Sequence, residues 1–283
     1  MSGNTPAGAS GSVLTGEFGQ RMMSGVALAA IALTALWAGN WPFGILVALL
    51  AAIACWEWGR MIRDTGWDGY LILHAIIVML AILASIAGYA VPAVVTLVVG
   101  AIVLLVLRLS ARDALTGLGV LAIGVPAVSL AHLRADSALG LEAILFLFAV
   151  VWMTDIGGYV FGRTIGGPKL WLAISPGKTW AGAAGGLILA AITGALAGEV
   201  FGDEDMVGVI LLAIMLGLAA ELGDLAESAM KRRFGRKDAS ALIPGHGGVL
   251  DRIDGLLAAA LVATLFAMLR DPMHPAAGLL LWP

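Results

Sequence analysis

The sequence predicts an all-α protein that crosses a membrane about nine times. Of its 283 residues, 60% are hydrophobic and only 12% are charged, whereas soluble domains carry roughly 25% charged residues. Apolar runs long enough to span a bilayer, about 20 residues each, recur along the whole chain. The net charge of −3 offers no overall basic surface, so we expect no nucleic-acid partner.

Nine segments satisfy the length and hydropathy that a membrane span requires. Pro42 and Pro92 mark tight turns between neighbouring spans, and the residues after the ninth span are too few for a tenth. The first 21 residues are rich in Gly, Ser, Ala and Thr, so we expect 1–21 to be a disordered tail and 22–283 to be one transmembrane domain. The predicted spans are Met22–Ala38, Trp41–Trp58, Tyr70–Ala90, Ala93–Leu109, Ala114–Leu133, Leu141–Gly162, Trp180–Val200, Met206–Met230 and Val249–Leu269.

The distribution of basic residues predicts the orientation of these spans. If the N-terminus is cytoplasmic, the tail and the segments after spans 2, 4, 6 and 8 are cytoplasmic too. Of the 16 Lys and Arg residues, 13 then lie in cytoplasmic segments and Arg252 lies at the cytoplasmic start of the last span, so only Arg134 and Arg270 fall outside. This asymmetry follows the positive-inside rule. It predicts a cytoplasmic N-terminus and an external C-terminus.

Acidic side chains occur in or at the ends of several spans, always toward the predicted cytoplasmic side. Ionisable groups within a bilayer are costly and usually serve a function, so seven on one side suggest a shared, water-accessible cavity. In the eighth span, Asp224, Glu227, Ser228 and Lys231 share one helix face by their spacing. The seven acids are Glu57, Asp155, Glu221, Asp224, Glu227, Asp251 and Asp254.

The ninth span begins with a second pair of carboxylates, Asp251 and Asp254, three residues apart. If the two helix faces meet, their carboxylates would repel one another unless a cation lies between them. Oxygen-only ligation favours Mg²⁺ or Mn²⁺ over Zn²⁺. The alternative is a set of structural ion pairs with Arg252, Lys231 and Arg232.

The loop between the last two spans carries five basic residues and then "GHGG". Cations beside a carboxylate cluster indicate a phosphate-bearing substrate. His246, Gly247 and Gly248 precede the last span, whose free N–H groups would favour an anion. The alternatives are the positive-inside rule and contacts with lipid headgroups for the loop, and a turn-shaping role for His246.

Two further motifs flank the turn after the sixth span. "TDIGGYVFGR" places Asp155 before two glycines and Arg163 two helical turns later, and "SPGKTW" follows with Ser175 and Lys178. The "GKT" is not a P-loop, since Leu172 stands where the motif needs its first glycine and no strand-to-helix turn is expected. We predict phosphate contacts for Ser175 and Lys178, with an ordinary polar loop as the alternative. The Gly182/Gly186 spacing suits close helix packing in lipid.

Together these residues resemble the phosphatidate cytidylyltransferase (CDP-diacylglycerol synthase) family. The match is densest over "SAMKRRFGRKDASALIPGHGGVLDRID", residues 228–254, where every position of the family pattern is present. "GDLAES", "DIGGYVFGR", "SPGKTW" and the early "WEW" are also similar to family motifs. One departure is that relatives often have a basic residue where Gly177 stands and an acid where Ala181 stands.

The resemblance implies the reaction of CTP with phosphatidate to give CDP-diacylglycerol and pyrophosphate, with Mg²⁺ and K⁺ as a further candidate cation. It implies a multi-pass location in the inner (cytoplasmic) membrane, an active site that faces the cytoplasm, N-terminal helices over about 22–133 and catalytic helices and loops over about 141–269. A homodimer is left open. So is whether Asp254 is a direct metal ligand or only orients Arg252.

The predicted roles of the residues fall into three groups. The predicted catalytic residues are Asp224, Lys231, Arg232, Asp251 and Arg252. The predicted substrate-binding residues are Asp155, Arg163, Ser175, Lys178, Ser228, Lys237, His246, Gly247 and Gly248. The predicted metal ligands are Asp224, Asp251 and Asp254.

Three other classes of protein compete with this interpretation. A transporter would show polar residues that reach both faces of the membrane, but here they gather on one. A different membrane phosphotransferase would be an alcohol phosphatidyltransferase or a polyprenyl-phosphate sugar transferase. An alcohol phosphatidyltransferase would carry an Asp-Gly-x-x-Ala-Arg run, and "DRIDGLLAAAL" lacks that arginine. A structural or scaffold protein does not account for the density of carboxylates.

Overall fold

The computed structural model describes residues 11–63, 66, 68–107, 111–202, 205–243 and 247–282, with side chains from residue 24 onward except those of 111–113. Within these ranges the chain forms ten helices and one two-stranded hairpin. The helices are α1 Gly11–Ala38, α2 Asn40–Arg63, α3 Gly69–Ile86, α4 Ala90–Leu107, α5 Ala111–Ala135, α6 Gly140–Thr164, α7 Trp180–Phe201, α8 Met206–Arg233, α9 Leu250–Arg270 and α10 Pro275–Leu280. The strands are β1 Lys169–Trp171 and β2 Ser175–Thr179.

The chain is an all-α polytopic membrane protein, as the sequence predicts. Eight helices of its described part, α2 to α9, are long and apolar enough to cross a bilayer. The described apolar part of α1, Ser24–Ala38, is shorter. Each predicted span coincides with one of the helices α1 to α9 within a few residues at most ends, because a 20-residue apolar run has no other way to satisfy its backbone in lipid. The orientation of the termini stays a prediction.

The N-terminal boundary differs from the predicted one. Helix α1 begins at Gly11, so the disordered tail predicted for 1–21 is wrong for residues 11–21, and residues 1–10 lie outside the described part. No proline interrupts "GSVLTGEFGQR", and Leu14 and Phe18 are one turn apart. The helix of the first span therefore continues into this segment without a break.

The segment between α6 and α7, predicted as a cytoplasmic loop, is a short antiparallel hairpin. Lys169 pairs with Thr179 and Trp171 pairs with Ser175. Gly166 and Gly167 have φ values of 67° and 87°, which glycine adopts at little cost, and they turn the chain from α6 into β1. The Oγ1 of Thr179 accepts a hydrogen bond from Gly182 N at 3.0 Å and caps α7. The hairpin is thereby fixed against the ends of both helices.

Glycines bring α6 and α7 into close contact. A Cβ added at Gly182 would lie 2.7 Å from the carbonyl oxygen of Gly158, and one at Gly186 would lie 2.8 Å from that of Thr154. The predicted packing role of Gly182 and Gly186 is confirmed. Small residues at such an interface are the usual basis of tight packing in membranes.

The Gly157→Ala variant is expected to be less stable than the parent by about 1–3 kcal/mol. Its Cβ would lie 2.6 Å from the Gly185 carbonyl oxygen, so α6 and α7 must move apart. The measurement is the melting temperature in detergent. The matched control is Gly158→Ala, whose Cβ meets only the Gly182 carbonyl at 4.0 Å. Equal melting temperatures for the two variants would contradict this account of the interface.

The remaining helices connect this pair to the rest of the protein. Helices α2 to α5 pack against one another, α6 to α9 form a second group, and α5 and α2 both contact α9. The core that they enclose is apolar, with Phe43, Leu71 and Leu147 almost completely buried. Helix α9 therefore lies where both groups meet.

Candidate functional site

Asp224 on α8 lies at the centre of the polar residues. Its Oδ2 is 2.7 Å from Nζ of Lys178, on strand β2, and its Oδ1 accepts a hydrogen bond from Ser228 Oγ at 3.3 Å. The predicted polar face of α8 thus exists. The hairpin adds a cation to it that sequence spacing could not place.

Three carboxylates from α8 and α9 form a cluster that could hold a cation. One oxygen from each of Asp224, Glu227 and Asp254 lies within 4.8 Å of the other two. Helices α8 and α9 can approach this closely because Gly223 has no side chain. A Cβ there would lie only 2.8 Å from the Asp254 carbonyl oxygen. The all-oxygen donor set fits Mg²⁺. Oε1 of Glu227 is buried and has no hydrogen-bond partner among the described residues, which also fits a cation there.

The cluster contains Glu227 where the sequence predicts Asp251. Glu227 is one helical turn from Asp224 on the same face, so the spacing indicated it; the choice between the two acids depends on packing. Asp251 accepts hydrogen bonds from Lys231 Nζ at 2.5 Å, Gly248 N at 2.7 Å and Ala239 N at 3.0 Å. Lys231 also forms an ion pair with Glu227. Asp251 therefore fixes the approach to α9 and the position of Lys231.

The N-terminus of α9 is capped by Glu57, one of the seven acids that the sequence predicts around a shared cavity. Glu57 on α2 is fully buried. Its carboxylate accepts hydrogen bonds from Val249 N at 2.9 Å, Leu250 N at 2.6 Å and Ser240 Oγ at 2.6 Å. Carboxylates at a helix N-terminus satisfy otherwise unpaired N–H groups.

This capping changes the interpretation of the "GHGG" segment. The N–H of Gly248 is bonded to Asp251, and those of the next two residues are bonded to Glu57, so these three N–H groups are not free as the sequence predicts, and a substrate contact of Gly247 and Gly248 stays a prediction. Gly247 adopts a φ of 81°, and its carbonyl accepts a hydrogen bond from Ile243 N at 2.8 Å. A Cβ at Gly248 would collide with the Glu57 carboxylate, 2.5 Å away. His246 lies outside the described residues.

Three cavities lie next to one another around these groups. The hairpin cavity, about 460 Å³, lies between α6, α7, α8 and β2, and the acidic cavity, about 330 Å³, lies between α6, α8 and α9. Asp155 and Asp224 line both. The apolar cavity, about 250 Å³, shares Arg252 and Leu256 with the acidic cavity. The acidic cavity thus connects the other two.

The acidic cavity has an excess of negative charge. Five carboxylates line its described wall, against Lys231 and Arg252. Such an excess favours a bound cation, which would lessen the repulsion among the carboxylates. The five carboxylates belong to Asp155, Asp224, Asp238, Asp251 and Asp254.

The structure places the predicted residues in two groups. Those that line the hairpin or acidic cavity are Asp155, Arg163, Lys178, Asp224, Lys231, Asp251, Arg252 and Asp254. Those that line neither are Ser175, Ser228, Arg232, Lys237, Gly247 and Gly248. Ser228 still contacts the cavities indirectly through Asp224.

Two of the predicted site residues, Arg232 and Lys237, line neither the hairpin nor the acidic cavity. Arg232 is exposed, and its Nε donates to the Ile174 carbonyl in the hairpin at 3.2 Å; Lys237 is exposed on the loop after α8. Adjacent residues on a helix lie about 100° apart, and Arg232 accordingly lies on a different face of α8 from Lys231, which lines the acidic cavity. Arg163 does face the hairpin cavity, where its Nη1 donates to the Tyr159 hydroxyl at 3.0 Å.

Comparison with known proteins adds an independent line of evidence. A model of the cytidylyltransferase family matches residues 19–269. Proteins named phosphatidate cytidylyltransferase from Brucella suis biovar 1 (strain 1330) and Brucella melitensis biotype 1 are each 39% identical over 260 residues, which cover 91% of this chain and 96% of theirs. A protein of the same name from Staphylococcus saprophyticus is 49% identical over 120 residues, 42% of this chain and 46% of its own.

Proposed function

The chain belongs to the cytidylyltransferase family, and on that premise we propose that it transfers the cytidylyl group of CTP to phosphatidate. The products are CDP-diacylglycerol and pyrophosphate. The observation that carries this proposal is the junction of the hairpin and acidic cavities at Asp155 and Asp224, beside the cluster of Asp224, Glu227 and Asp254. A nucleotide and a lipid phosphate bound on either side of that junction would meet at the carboxylates.

The chemistry requires charge neutralisation more than a strong base. The second pKa of a phosphate monoester is about 6, so the phosphate of phosphatidate is already a nucleophilic dianion near pH 7. It attacks the α-phosphorus of CTP, the bond to the β-phosphate breaks, and pyrophosphate leaves with the electron pair. Catalysis then consists of alignment of the two phosphates and stabilisation of the developing charge.

The positions of the basic residues suggest which substrate each one holds. Lys178 and Arg163 line the hairpin cavity and would bind the phosphates of CTP. Lys231 and Arg252 line the acidic cavity and would bind the phosphate of the lipid and orient it for attack. Lys231 is itself held by Asp251 and Glu227, so its ammonium has a fixed position.

Mg²⁺ is the cofactor that we propose, and Asp224, Glu227 and Asp254 would hold it. When bound, it supplies charge neutralisation to the phosphates. Asp251 is a metal ligand in the set predicted from the sequence, and K⁺ is a further candidate cation. Both stay predictions.

We infer that the enzyme works in the inner membrane with its cavities toward the cytoplasm, since CTP is a cytosolic nucleotide and phosphatidate a membrane lipid. The positive-inside pattern supports that orientation. A homodimer stays a prediction, which a measurement of the protein's mass in detergent would test.

The proposed activity is tested with purified protein in detergent, CTP labelled in the cytosine ring, and phosphatidate. Label is expected in the organic phase after lipid extraction, in an amount equal to the pyrophosphate released. Omission of phosphatidate should abolish both signals. Transport of CTP or phosphatidate into liposomes without labelled lipid would instead favour a transporter and refute the proposal.

The Lys178→Met variant is expected to raise the KM for CTP about tenfold or more, because it removes charge-assisted hydrogen bonds to the nucleotide phosphates. The KM for phosphatidate should change little. Lys169→Met is the control, since Lys169 is an exposed lysine of the same hairpin and lines none of the three cavities. If Lys178→Met left the KM for CTP unchanged, the hairpin cavity would not be the nucleotide site.

A further inference from the structure

The apolar cavity has the composition of a hydrocarbon-binding site. It lies between α1, α2, α6 and α9, and Arg252 is the only charged residue among the described residues that line it. Small side chains on α1 leave the space open, and aromatic ones on α2 and α6 form the opposite wall. The small side chains are those of Ala29 and Ala32, and the aromatic ones are those of Phe43, Phe148 and Trp152.

The cavity is accessible from the side that faces lipid. Ile31 and Trp152 both line it, yet they are 53% and 38% exposed. Both belong to apolar helices of a polytopic membrane protein, so we expect this exposed surface to face acyl chains and not water. A lipid chain could therefore reach the cavity sideways from the bilayer.

The cavity is continuous with the acidic cavity at one end. Arg252 and Leu256, one turn apart on α9, line both. A guanidinium binds phosphate in a fixed geometry and keeps its aliphatic part against apolar surface. The junction thus presents a cation where an anionic headgroup would adjoin a hydrocarbon tail.

We propose that the apolar cavity binds one acyl chain of the lipid substrate and thereby positions the lipid phosphate, past Arg252, in the acidic cavity. The proposal rests on the proposed function and extends it: the site would recognise the tail of the substrate as well as its headgroup. Burial of the chain in the cavity would stabilise the complex in proportion to the apolar area covered.

The test is the Ala29→Phe variant, assayed with dioleoyl-phosphatidate and with dihexanoyl-phosphatidate. The added ring would occupy the cavity. We expect the KM for the long-chain lipid to rise at least about tenfold, in line with the loss of a few buried methylene contacts. The KM for the short-chain lipid and the KM for CTP should stay near the parent values. Ala32→Phe, one turn on, should behave in the same way.

Ala30→Phe is the matched control. Ala30 is on the same helix, next to Ala29, but it is exposed and does not line the cavity, so its KM values should equal those of the parent. Melting temperatures of all variants show whether each one is folded. An Ala29→Phe protein with parental melting temperature and an unchanged KM for dioleoyl-phosphatidate would overturn the proposal, as would equal losses with both lipids.

Failure of this inference is distinguishable from failure of the proposed function. If the parent protein makes no labelled lipid from either phosphatidate, the function itself is refuted. If the parent is active on both lipids and the cavity variants do not discriminate between them, only the acyl-chain site is refuted.

Discussion

The Asp254→Asn variant is expected to lose about 10²- to 10³-fold in kcat, because the carboxylate cluster would lose a charged ligand that is worth several kcal/mol to the reaction. Asp254 is chosen over Asp224 because Asp224 also pairs with Lys178, and its replacement would disturb a second group. The control is Asp271→Asn at the other end of α9. Asp271 accepts hydrogen bonds from Met273 N and His274 N, and asparagine can still accept them.

The cation site itself is measured without turnover. Binding of Mn²⁺, observed by electron paramagnetic resonance in the absence of substrates, should weaken in Asp254→Asn and in Glu227→Gln. Asp251→Asn should retain Mn²⁺ binding, since Asp251 is bonded to Lys231 and two backbone N–H groups. If Asp251→Asn loses Mn²⁺ while Glu227→Gln keeps it, the ligand set is the one predicted from the sequence and not the cluster of the structure.

The Glu57→Ala variant is expected to lose about 2–4 kcal/mol of stability, because the N–H groups of Val249 and Leu250 would be left buried without an acceptor. It should also lower kcat, because Asp251 and Arg252 would no longer be held at the start of α9. The exposed Glu199→Ala on α7 serves as the control for loss of a glutamate. Stability is followed by thermal melting, and kinetics are measured well below the midpoint of the weakest variant.

A positioning role for Glu57 is separable from a merely structural one. Glu57→Gln keeps one acceptor oxygen, so kcat should follow the order Glu, Gln, Ala, while the KM for CTP, whose proposed cavity does not contain Glu57, stays within about twofold. Parental kcat in folded Glu57→Ala would show that the cap contributes to stability alone.

The sequence predicts most of the fold because the membrane leaves few alternatives. Spans α2 to α9 follow from runs of apolar residues that no other structure could accommodate in lipid. The hairpin of Lys169 to Thr179 escaped prediction because its strands are short and hold no alternation of apolar and polar residues. The first residue of α1 was not predicted because composition alone does not locate where a helix begins.

The candidate site was predicted in its residue types but not in its contacts. Spacing placed Asp224 and Glu227 on one face of α8, yet it could not show that Lys231 pairs with both Asp251 and Glu227 or that Glu227 lies in the cluster with Asp254. Spacing also could not reveal that the first N–H groups of α9 are satisfied by Glu57, because residues so far apart in sequence have no spacing rule. Long-range packing decides which carboxylate is a cap and which can be a ligand.

The cap on α9 has a consequence for the order in which the protein is assembled. Glu57 bonds to partners 183, 192 and 193 residues further along the chain. A chain made from its N-terminus inserts α2 long before α9 exists, and contacts of such sequence separation form late. Synthesis must therefore nearly finish before the carboxylates of α8 and α9 are held in register, so that a prematurely terminated chain would carry the first eight helices and no completed site.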